Sequence, residues 1–228
     1  MKTLKGSILN RSSHGGEGFK SQRREMIKKW LREYDIKNYT INDDFTIDVD
    51  EDVKLHKKDL TELPAYIQFG TVTKSFYCST NNLTSLRGCP RVVGSNFDCG
   101  DNILTSLKDA PEKVGRDFDC SYNQLSSLEG APKEVGESFL CLFNKLTSLV
   151  GAPKEVKESF DCSNNRLTSL KGAPEKVREL FECCHNKLTS LEGAPKEVGG
   201  DFYCSNNKVQ FTENDVKRVC DVKEMIFP

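Results

Sequence analysis

The sequence lacks an excess of charge of either sign, long apolar segments and the apolar core of a secretory signal. It holds 33 Lys and Arg residues against 34 Asp and Glu residues, so its formal net charge is −1. Its overall charge therefore attracts neither nucleic acid nor an anionic membrane. No apolar run approaches the roughly 18 residues of a membrane span, and the start MKTLKGSIL is too polar for a secretory signal. We expect a cytoplasmic protein whose partner is neither a membrane nor a nucleic acid.

Motifs of catalysis and metal binding are also scarce. The sequence has no P-loop, dinucleotide-binding or Ser-His-Asp signature, and its three histidines lie in different segments. Asp48, Asp50 and Asp52 resemble the start of a calcium loop, but Val53 stands where that loop needs glycine and Asp59 where it needs glutamate. We therefore expect no enzymatic activity, no metal and no cofactor.

The main feature that is present is a repeat. Seven of the ten cysteines are spaced by 21 residues without interruption, and each has Phe two residues before it and Asn three residues after it. A fixed period of this length is the sequence signature of a solenoid. The column consists of Cys78, Cys99, Cys120, Cys141, Cys162, Cys183 and Cys204.

Each part of the repeat predicts a structural role. Phe-x-Cys has the period of two of a β-strand, so both side chains point from a short strand into the core. Successive turns then stack into a parallel sheet, because one short strand cannot bury its own inner face. We expect the fixed asparagine to bond the backbone of its own and the next turn. The Gly-Ala-Pro segment predicts a convex side of loop or polyproline-like structure rather than helix.

The frame F-x-C-x-x-N-x-L-T-S-L resembles the leucine-rich-repeat frame L-x-L-x-x-N-x-L over residues 75–209. Units such as FDCSNNRLTSLKGAPEKV are similar to the short bacterial class of that family, and the segments NYTIN, TIDVD and FTENDV are similar to bacteriophage and prophage proteins. The resemblance implies an α/β repeat solenoid, that is, a leucine-rich-repeat array with a parallel concave β-sheet. It also implies a location in the host bacterial cytoplasm, and it implies no biochemical activity.

The segments outside the repeats have their own signals. We expect residues 1–19 to form a leader and a flexible linker, residues 37–74 an N-terminal cap with a degenerate repeat, and residues 210–228 a C-terminal cap. In the C-terminal cap, Thr212 and Asp215 predict a capping box that opens a short helix over residues 213–220.

An amphipathic helix is predicted over residues 20–36. Residues 1–35 carry a net positive charge and residues 36–62 a net negative charge, so these two segments are expected to attract each other. Docking of the apolar stripe on the N-terminal cap is the favoured interpretation, and binding to nucleic acid or to a membrane surface is the alternative. The stripe consists of Met26, Ile27, Trp30, Leu31 and Tyr34.

The cysteine column raises the question of disulfides or a metal site. Side chains stacked in register point in the same direction rather than at each other, and none of the column has paired C-x-x-C spacing. We therefore expect the cysteines to be small apolar core residues. Cys184 follows Cys183 directly, so it is expected to point outward and to be more reactive.

The residues on either side of each column cysteine point out of the predicted concave sheet and vary between units. Aspartate and serine are the usual pair, but the fourth unit has two leucines followed by phenylalanine. An apolar centre within a polar rim is typical of a binding hot spot, whereas repeat drift with harmless exposed leucines is the alternative. The predicted partner-binding residues are Leu140, Leu142, Phe143, Tyr122, Asp98, Asp119, Asp161 and Glu182.

Two functions fit these observations. The first is a non-enzymatic protein-protein interaction module that binds a host or phage protein through its concave face, as an inhibitor of a host factor or defence system. The second is a structural or assembly component of a phage particle, attached through the N-terminal leader and located in the virion.

Overall fold

The computed structural model describes the backbone of residues 13–228 and the side chains of residues 18–228; the leader, residues 1–12, lies outside the described part. The chain forms a parallel β-solenoid of about nine turns, with helices α1 (Ser13–Glu33) and α2 (Glu213–Lys217) near its two ends. The expected solenoid with its 21-residue period is confirmed. The repeat array is β rather than α/β, because the returning side of each repeat contains a short strand and not a helix.

The seven Phe-x-Cys segments, with one further strand at each end, form a nine-stranded sheet, which we name the front sheet. Its repeat strands run parallel and pair residue for residue, so that Phe97 lies beside Phe118 and Asp98 beside Asp119. A slip by one residue would turn every buried phenylalanine to solvent, and the burial pattern therefore sets the register. The strands are β3 (Val53–Lys54), β5 (Phe76–Tyr77), β7 (Phe97–Asp98), β9 (Phe118–Asp119), β11 (Phe139–Leu140), β13 (Phe160–Asp161), β15 (Phe181–Glu182), β17 (Phe202–Tyr203) and β19 (Ile226–Phe227).

The opposite side of the coil also consists of short parallel strands, which corrects the expectation of loop or polyproline-like structure. The valine that follows each Gly-Ala-Pro or related turn repeats at the same 21-residue spacing as Phe-x-Cys, so these segments stack in the same way. The first back sheet contains β1 (Tyr39–Ile41), β2 (Ile47–Val49), β4 (Phe69–Val72), β6 (Val92–Val93), β8 (Lys113–Val114) and β10 (Glu134–Val135). The second back sheet contains β12 (Glu155–Val156), β14 (Lys176–Val177), β16 (Glu197–Val198) and β18 (Asp221–Val222).

The back of the solenoid is interrupted between β10 and β12, whereas the front sheet is continuous. Gly115 and Gly136, which follow β8 and β10, approach the preceding turn so closely that an added Cβ would lie 2.0 and 1.8 Å from a carbonyl oxygen. Lys157 occupies this position after β12 and carries a Cβ. The back sheet is thus interrupted at the turn in which this repeat position first holds a residue other than glycine, Lys157, after Gly115 and Gly136 in the two turns before it.

The core lies between the front and back strands. Eight phenylalanines, from Phe69 to Phe202, form a continuous column with ring centroids 5.0 to 5.7 Å apart. The column cysteines are at most 1% exposed. Each fixed asparagine bonds backbone groups of its own turn and of the preceding turn, rather than of its own and the next. Burial of this apolar column supplies the main driving force for stacking.

The N-terminal end is covered by α1 and the antiparallel hairpin of β1 and β2. Ile27, Trp30 and Leu31 are buried, and the Trp30 ring lies 6.2 Å from that of Phe69. The stripe predicted from the sequence therefore packs on the N-terminal cap, except that Met26 remains 43% exposed. Attraction between the basic and acidic segments appears as an ion pair of 3.2 Å between Arg24 and Asp43.

The helix bounds differ from the expected ones. Residues 13–19, expected to be a flexible linker, are helical, because extending a formed helix adds one backbone hydrogen bond for each residue fixed. The helix stops at Glu33 rather than at residue 36. Asp35 adopts a positive φ of 54°, which is incompatible with continuing an α-helix.

The C-terminal segment is a further, shortened turn. Thr212 and Asp215 form the predicted capping box at the start of α2, which ends at Lys217 rather than at residue 220. The chain then adds β18 beside β16 and β19 beside β17. The C-terminal cap thus extends both sheets by one strand, in addition to the expected helix.

Candidate functional site

The outward side chains of the front sheet form a single file across the turns, which we name the front face. Because the strands pair in register, the position before each column cysteine recurs at the strand spacing of about 4.8 Å. Leu140 lies between Asp119 and Asp161 in this file. In chain order the file is Lys54, Tyr77, Asp98, Asp119, Leu140, Asp161, Glu182, Tyr203 and Phe227.

Three aspartates of the expected polar rim have a local structural role. Oδ1 of Asp119 accepts a hydrogen bond of 2.8 Å from the backbone N–H of Ser121, and Asp161 and Asp98 accept equivalent bonds from the N–H groups two residues later. This is an Asx-type turn, in which the carboxylate satisfies an amide two residues later. The fourth turn has Leu140 in place of the aspartate and cannot form this bond. The recurrent Asp-x-Ser pattern therefore serves in part to stabilise the local turn.

The fourth turn places two leucines on the front face in a half-buried state. Leu140 and Leu142 are each partly covered by their neighbours, whereas Phe143 is 42% exposed. The serines in register on either side of Leu142, Ser121 and Ser163, are 3% and 5% exposed. Within the described part of the chain, neither serine hydroxyl has a hydrogen-bond partner. Such unpartnered buried hydroxyls are uncommon.

Tyr122 and Phe143 form the most exposed apolar feature of this region, which we name the aromatic pair. Their rings are stacked with centroids 4.5 Å apart and planes 13° apart. Tyr122 is 53% exposed. The structure thus brings together two residues of the predicted site that are 21 positions apart in the chain.

The backbone beneath the aromatic pair is left-handed. The φ angles of Tyr122 and Phe143 are 53° and 50°. Non-glycine residues rarely adopt this conformation, and Asn, Asp and His tolerate it best. A bulky aromatic residue there stores strain of about 1 kcal/mol or more. The same position in the other turns holds Thr80, Asp101, Asn164, His185 and Asn206.

Ile103 is an exposed apolar residue near this surface that the sequence-based prediction did not include. It is 41% exposed and lies in the turn before Tyr122. The sequence indicates this residue only through its apolar character, because the same repeat position in the next turns holds polar residues, Gln124, Lys145 and Arg166.

The carboxylates of the front face are electrostatically unfavourable in the folded chain. Burial raises the pKa of Asp119, Asp161 and Glu182 above their ordinary values, and for Asp119 the nearby Asp98 carboxylate adds to this rise. Among the described residues, none of these four carboxylates forms an ion pair. The front face therefore presents negative charge that the protein itself does not neutralise.

The cysteines occupy the interior. Burial raises the pKa of the column thiols from Cys99 to Cys204, whereas a hydrogen bond with Cys89 is the larger cause of the rise for Cys78. Several thiols donate to a carbonyl oxygen of the next turn, as Cys141 Sγ does to Asp161 at 3.3 Å. Cys184 does not match its expected exposure and reactivity. It is only 8% exposed, burial raises the pKa of its thiol, and Ser205 lies 3.4 Å away. Outward side chains of an inner strand are covered by the strands on both sides, which the residue alternation alone does not reveal.

Among the residues that the structure describes, one cluster of carboxylates has ligand atoms close enough for a cation. Oxygens of Asp117, Glu137 and Glu158 lie within 4.8 Å of one another. These groups already accept bonds from Ser138 and form an ion pair with Arg116. Contacts of this kind make the cluster part of the turn-to-turn hydrogen bonding.

The three aspartates that resemble a calcium loop hold the first two turns together. Asp48 accepts a hydrogen bond of 2.7 Å from the N–H of Thr71, and Asp50 accepts one of 2.6 Å from the Thr73 hydroxyl. Asp52 accepts one of 3.1 Å from the N–H of Ser75, although Ser75 lies 23 residues further along the chain.

The fold and the front face define a parallel β-solenoid of 21-residue turns with an apolar centre flanked by carboxylates. No helix in the described part of the chain is long and apolar enough to cross a membrane. No protein-family model matches the chain, and no curated protein matches it either.

Proposed function

We propose that this protein is a non-enzymatic protein-interaction module that binds a host or phage protein through the front face, centred on the fourth turn. The observation that carries the proposal is the aromatic pair. Two neighbouring turns place large exposed rings on strained backbone, where three of the other turns use Asn or Asp. Strain of this kind is concentrated at functional sites.

The surroundings of the aromatic pair support a protein partner. Aromatic residues are enriched at the centres of protein interfaces, with polar residues at the rim. Leu140 and Leu142 extend the apolar area beside the pair, and Asp119 and Asp161 flank it in register. A surface lined by carboxylates repels the phosphates of nucleic acid, which disfavours that class of partner.

We also propose that the array is a leucine-rich repeat of the short bacterial or phage type with a concave front face, acting in the host cytoplasm. The F-x-C-x-x-N-x-L-T-S-L frame supports this, together with the position of each frame element in the coil. The phenylalanine, cysteine and both leucines of every complete unit are buried, as the frame requires. Inhibition of a host factor or defence system is the role that we propose for this module.

The test compares capture of proteins from host lysate by three forms of the full chain. In the first variant, Tyr122→Asn with Phe143→Asn removes both rings and introduces the residue that tolerates a positive φ. In the control variant, Val150→Lys removes another exposed apolar side chain, 62% exposed, at a position where Lys108 and Lys171 occur in other turns.

The wild type and the control should retain the same partner, identified by mass spectrometry, and the asparagine variant should lose it. Its affinity, measured by calorimetry with that partner, should fall by at least about 2 kcal/mol. Equal capture by all three forms would contradict the proposal. Loss of capture only after removal of residues 1–12 would favour the assembly component attached through the leader.

A further inference from the structure

The charges of the front face are arranged in two pairs with an apolar residue midway between them. Asp98 and Asp119 are adjacent in the file, as are Asp161 and Glu182, and Leu140 separates the two carboxylate pairs. With strands about 4.8 Å apart, the centres of the two pairs lie about 14 Å apart, and each is about 7 Å from Leu140.

Each pair places like charges on neighbouring strands. Such side chains oppose each other directly, which is destabilising unless a cation neutralises them. The charge of Asp98 raises the pKa of Asp119, and that of Asp161 raises the pKa of Glu182, in addition to the larger effect of burial. A cationic side chain placed over each pair would offset the repulsion between its two carboxylates.

The separation of about 14 Å between the centres of the two carboxylate pairs matches the side-chain spacing of an extended peptide. A β-strand rises about 3.4 Å for each residue, and residues i, i+2 and i+4 share one face, so their side chains stand at 0, about 7 and about 14 Å. An α-helix fits poorly, because about 14 Å corresponds to nine residues, and residue i+9 lies on the opposite side of the helix.

We propose that the front face binds an extended segment of a partner protein that runs across the strands and carries the pattern cation-x-apolar-x-cation. This inference rests on the proposed function and specifies the chemistry of the partner. The Lys or Arg residues lie over the two carboxylate pairs, and the apolar residue lies on Leu140.

A further feature of the face suits an extended segment of a partner. The aromatic pair borders the same surface and supplies apolar contact along one side of the segment.

The test uses the full chain and a fluorescein-labelled peptide containing Lys-Ser-Leu-Ser-Lys, compared with the permuted peptide Lys-Lys-Ser-Leu-Ser. Binding is measured by fluorescence anisotropy at two salt concentrations. The patterned peptide should bind at least about tenfold more tightly, a difference of about 1.4 kcal/mol. Equal binding of both peptides, or no binding of the patterned peptide, would overturn the inference.

A matched pair of variants locates the binding. Asp119→Asn with Asp161→Asn removes one charge from each carboxylate pair and keeps an Oδ1 acceptor for the N–H groups of Ser121 and Ser163. The control, Asp109→Asn with Glu129→Gln, makes the same change in net charge at exposed positions elsewhere. The preference for the patterned peptide should disappear in the first variant and persist in the control. Its persistence in both would overturn the inference.

The result of the peptide-binding test can be distinguished from that of the lysate-capture test of the proposed function. If a lysate partner is captured through the aromatic pair but the patterned peptide does not bind, the inference fails and the proposed function stands. If a single-stranded oligonucleotide of similar length binds more tightly than the peptide, and no partner depends on the aromatic pair, both fail.

Discussion

The amide of Asn165 joins two turns through hydrogen bonds to buried backbone groups. Nδ2 donates to the carbonyl oxygens of Cys141, in the preceding turn, at 3.0 Å and of Cys162 at 3.1 Å. Oδ1 accepts a bond of 2.9 Å from the N–H of Leu146. These backbone groups lie away from solvent, so removal of the amide would leave them without partners.

We predict that Asn165→Ala lowers stability by at least about 2 kcal/mol, because each unsatisfied buried group costs about 1 to 3 kcal/mol. The matched change Arg166→Ala, at the next and exposed position, should cost no more than about 0.5 kcal/mol. Urea denaturation followed by circular dichroism measures both. Similar midpoints for the two variants would show that the asparagine column is not essential for stacking.

The carboxyl of Asp119 gives a second prediction at the residue scale. Burial raises its pKa in the folded state, so between the unfolded and folded pKa values the folded chain binds more protons, and stability falls as pH rises through that range. Above both pKa values the full penalty is present. Asp119→Asn should therefore raise the melting temperature at pH 7 and change it little at pH values below both pKa values.

Thermal denaturation between pH 3 and pH 7 compares this variant with the wild type, with Asp109→Asn as the exposed control. The asparagine side chain of the variant would still offer an oxygen to the N–H of Ser121, so the comparison isolates the charge. A lower melting temperature for Asp119→Asn at pH 7 would mean that the charge-assisted hydrogen bond outweighs the effect of burial.

At the scale of elements, the strands of the C-terminal cap complete hydrogen bonds of the last repeat. The backbone N–H groups of Phe202 and Cys204 donate to the carbonyls of Met225 and Phe227, each at 2.9 Å. In every repeat the corresponding amides donate toward the following turn. The last full repeat therefore depends on the carbonyl oxygens of Met225 and Phe227 as acceptors for these two amides.

We predict that deletion of residues 211–228 increases the hydrogen exchange of Phe202 and Cys204 by orders of magnitude and leaves Cys99, five turns away, protected. The exposed strand edge should also promote aggregation. Native-state exchange followed by NMR measures each amide. Protection of Phe202 and Cys204 that survives the deletion would show that this segment does not act as a cap.

The strands could be predicted from the sequence only where a motif longer than two residues marks them. Phe-x-Cys repeats with an asparagine and two leucines, so the front sheet was predictable. Most back strands consist of a valine and one charged residue, as in Glu134–Val135, and two residues are too few to show the alternation of a β-strand. Likewise, Ile226–Phe227 carries too little of the frame to be recognised as part of another turn.

At the scale of the whole molecule, the 21-residue period was sufficient to predict a solenoid, because stacking equivalent residues buries a continuous core. The candidate site was predictable only as breaks in the repeat at Leu140, Leu142 and Phe143. The strain beneath the aromatic pair and the burial of Cys184 depend on backbone angles and neighbouring strands, which a single sequence does not display. The two carboxylate pairs became visible once the register placed their strands side by side.

The uniform turn has a consequence for how the gene for this protein can change in length. Recombination between two equivalent codons removes or adds one whole repeat, and each remaining turn then meets a neighbour of the same shape, with its ring column and asparagine bonds restored. We expect such events to be tolerated outside the turns that carry Asp98 to Glu182. A repeat inserted between Tyr122 and Phe143 would instead separate the two stacked rings and move Asp119 one strand further from Leu140. The turns from Asp98 to Glu182 are thus the part of the array in which selection for binding should hold the number of repeats constant, whereas arrays of different length can arise on either side of it.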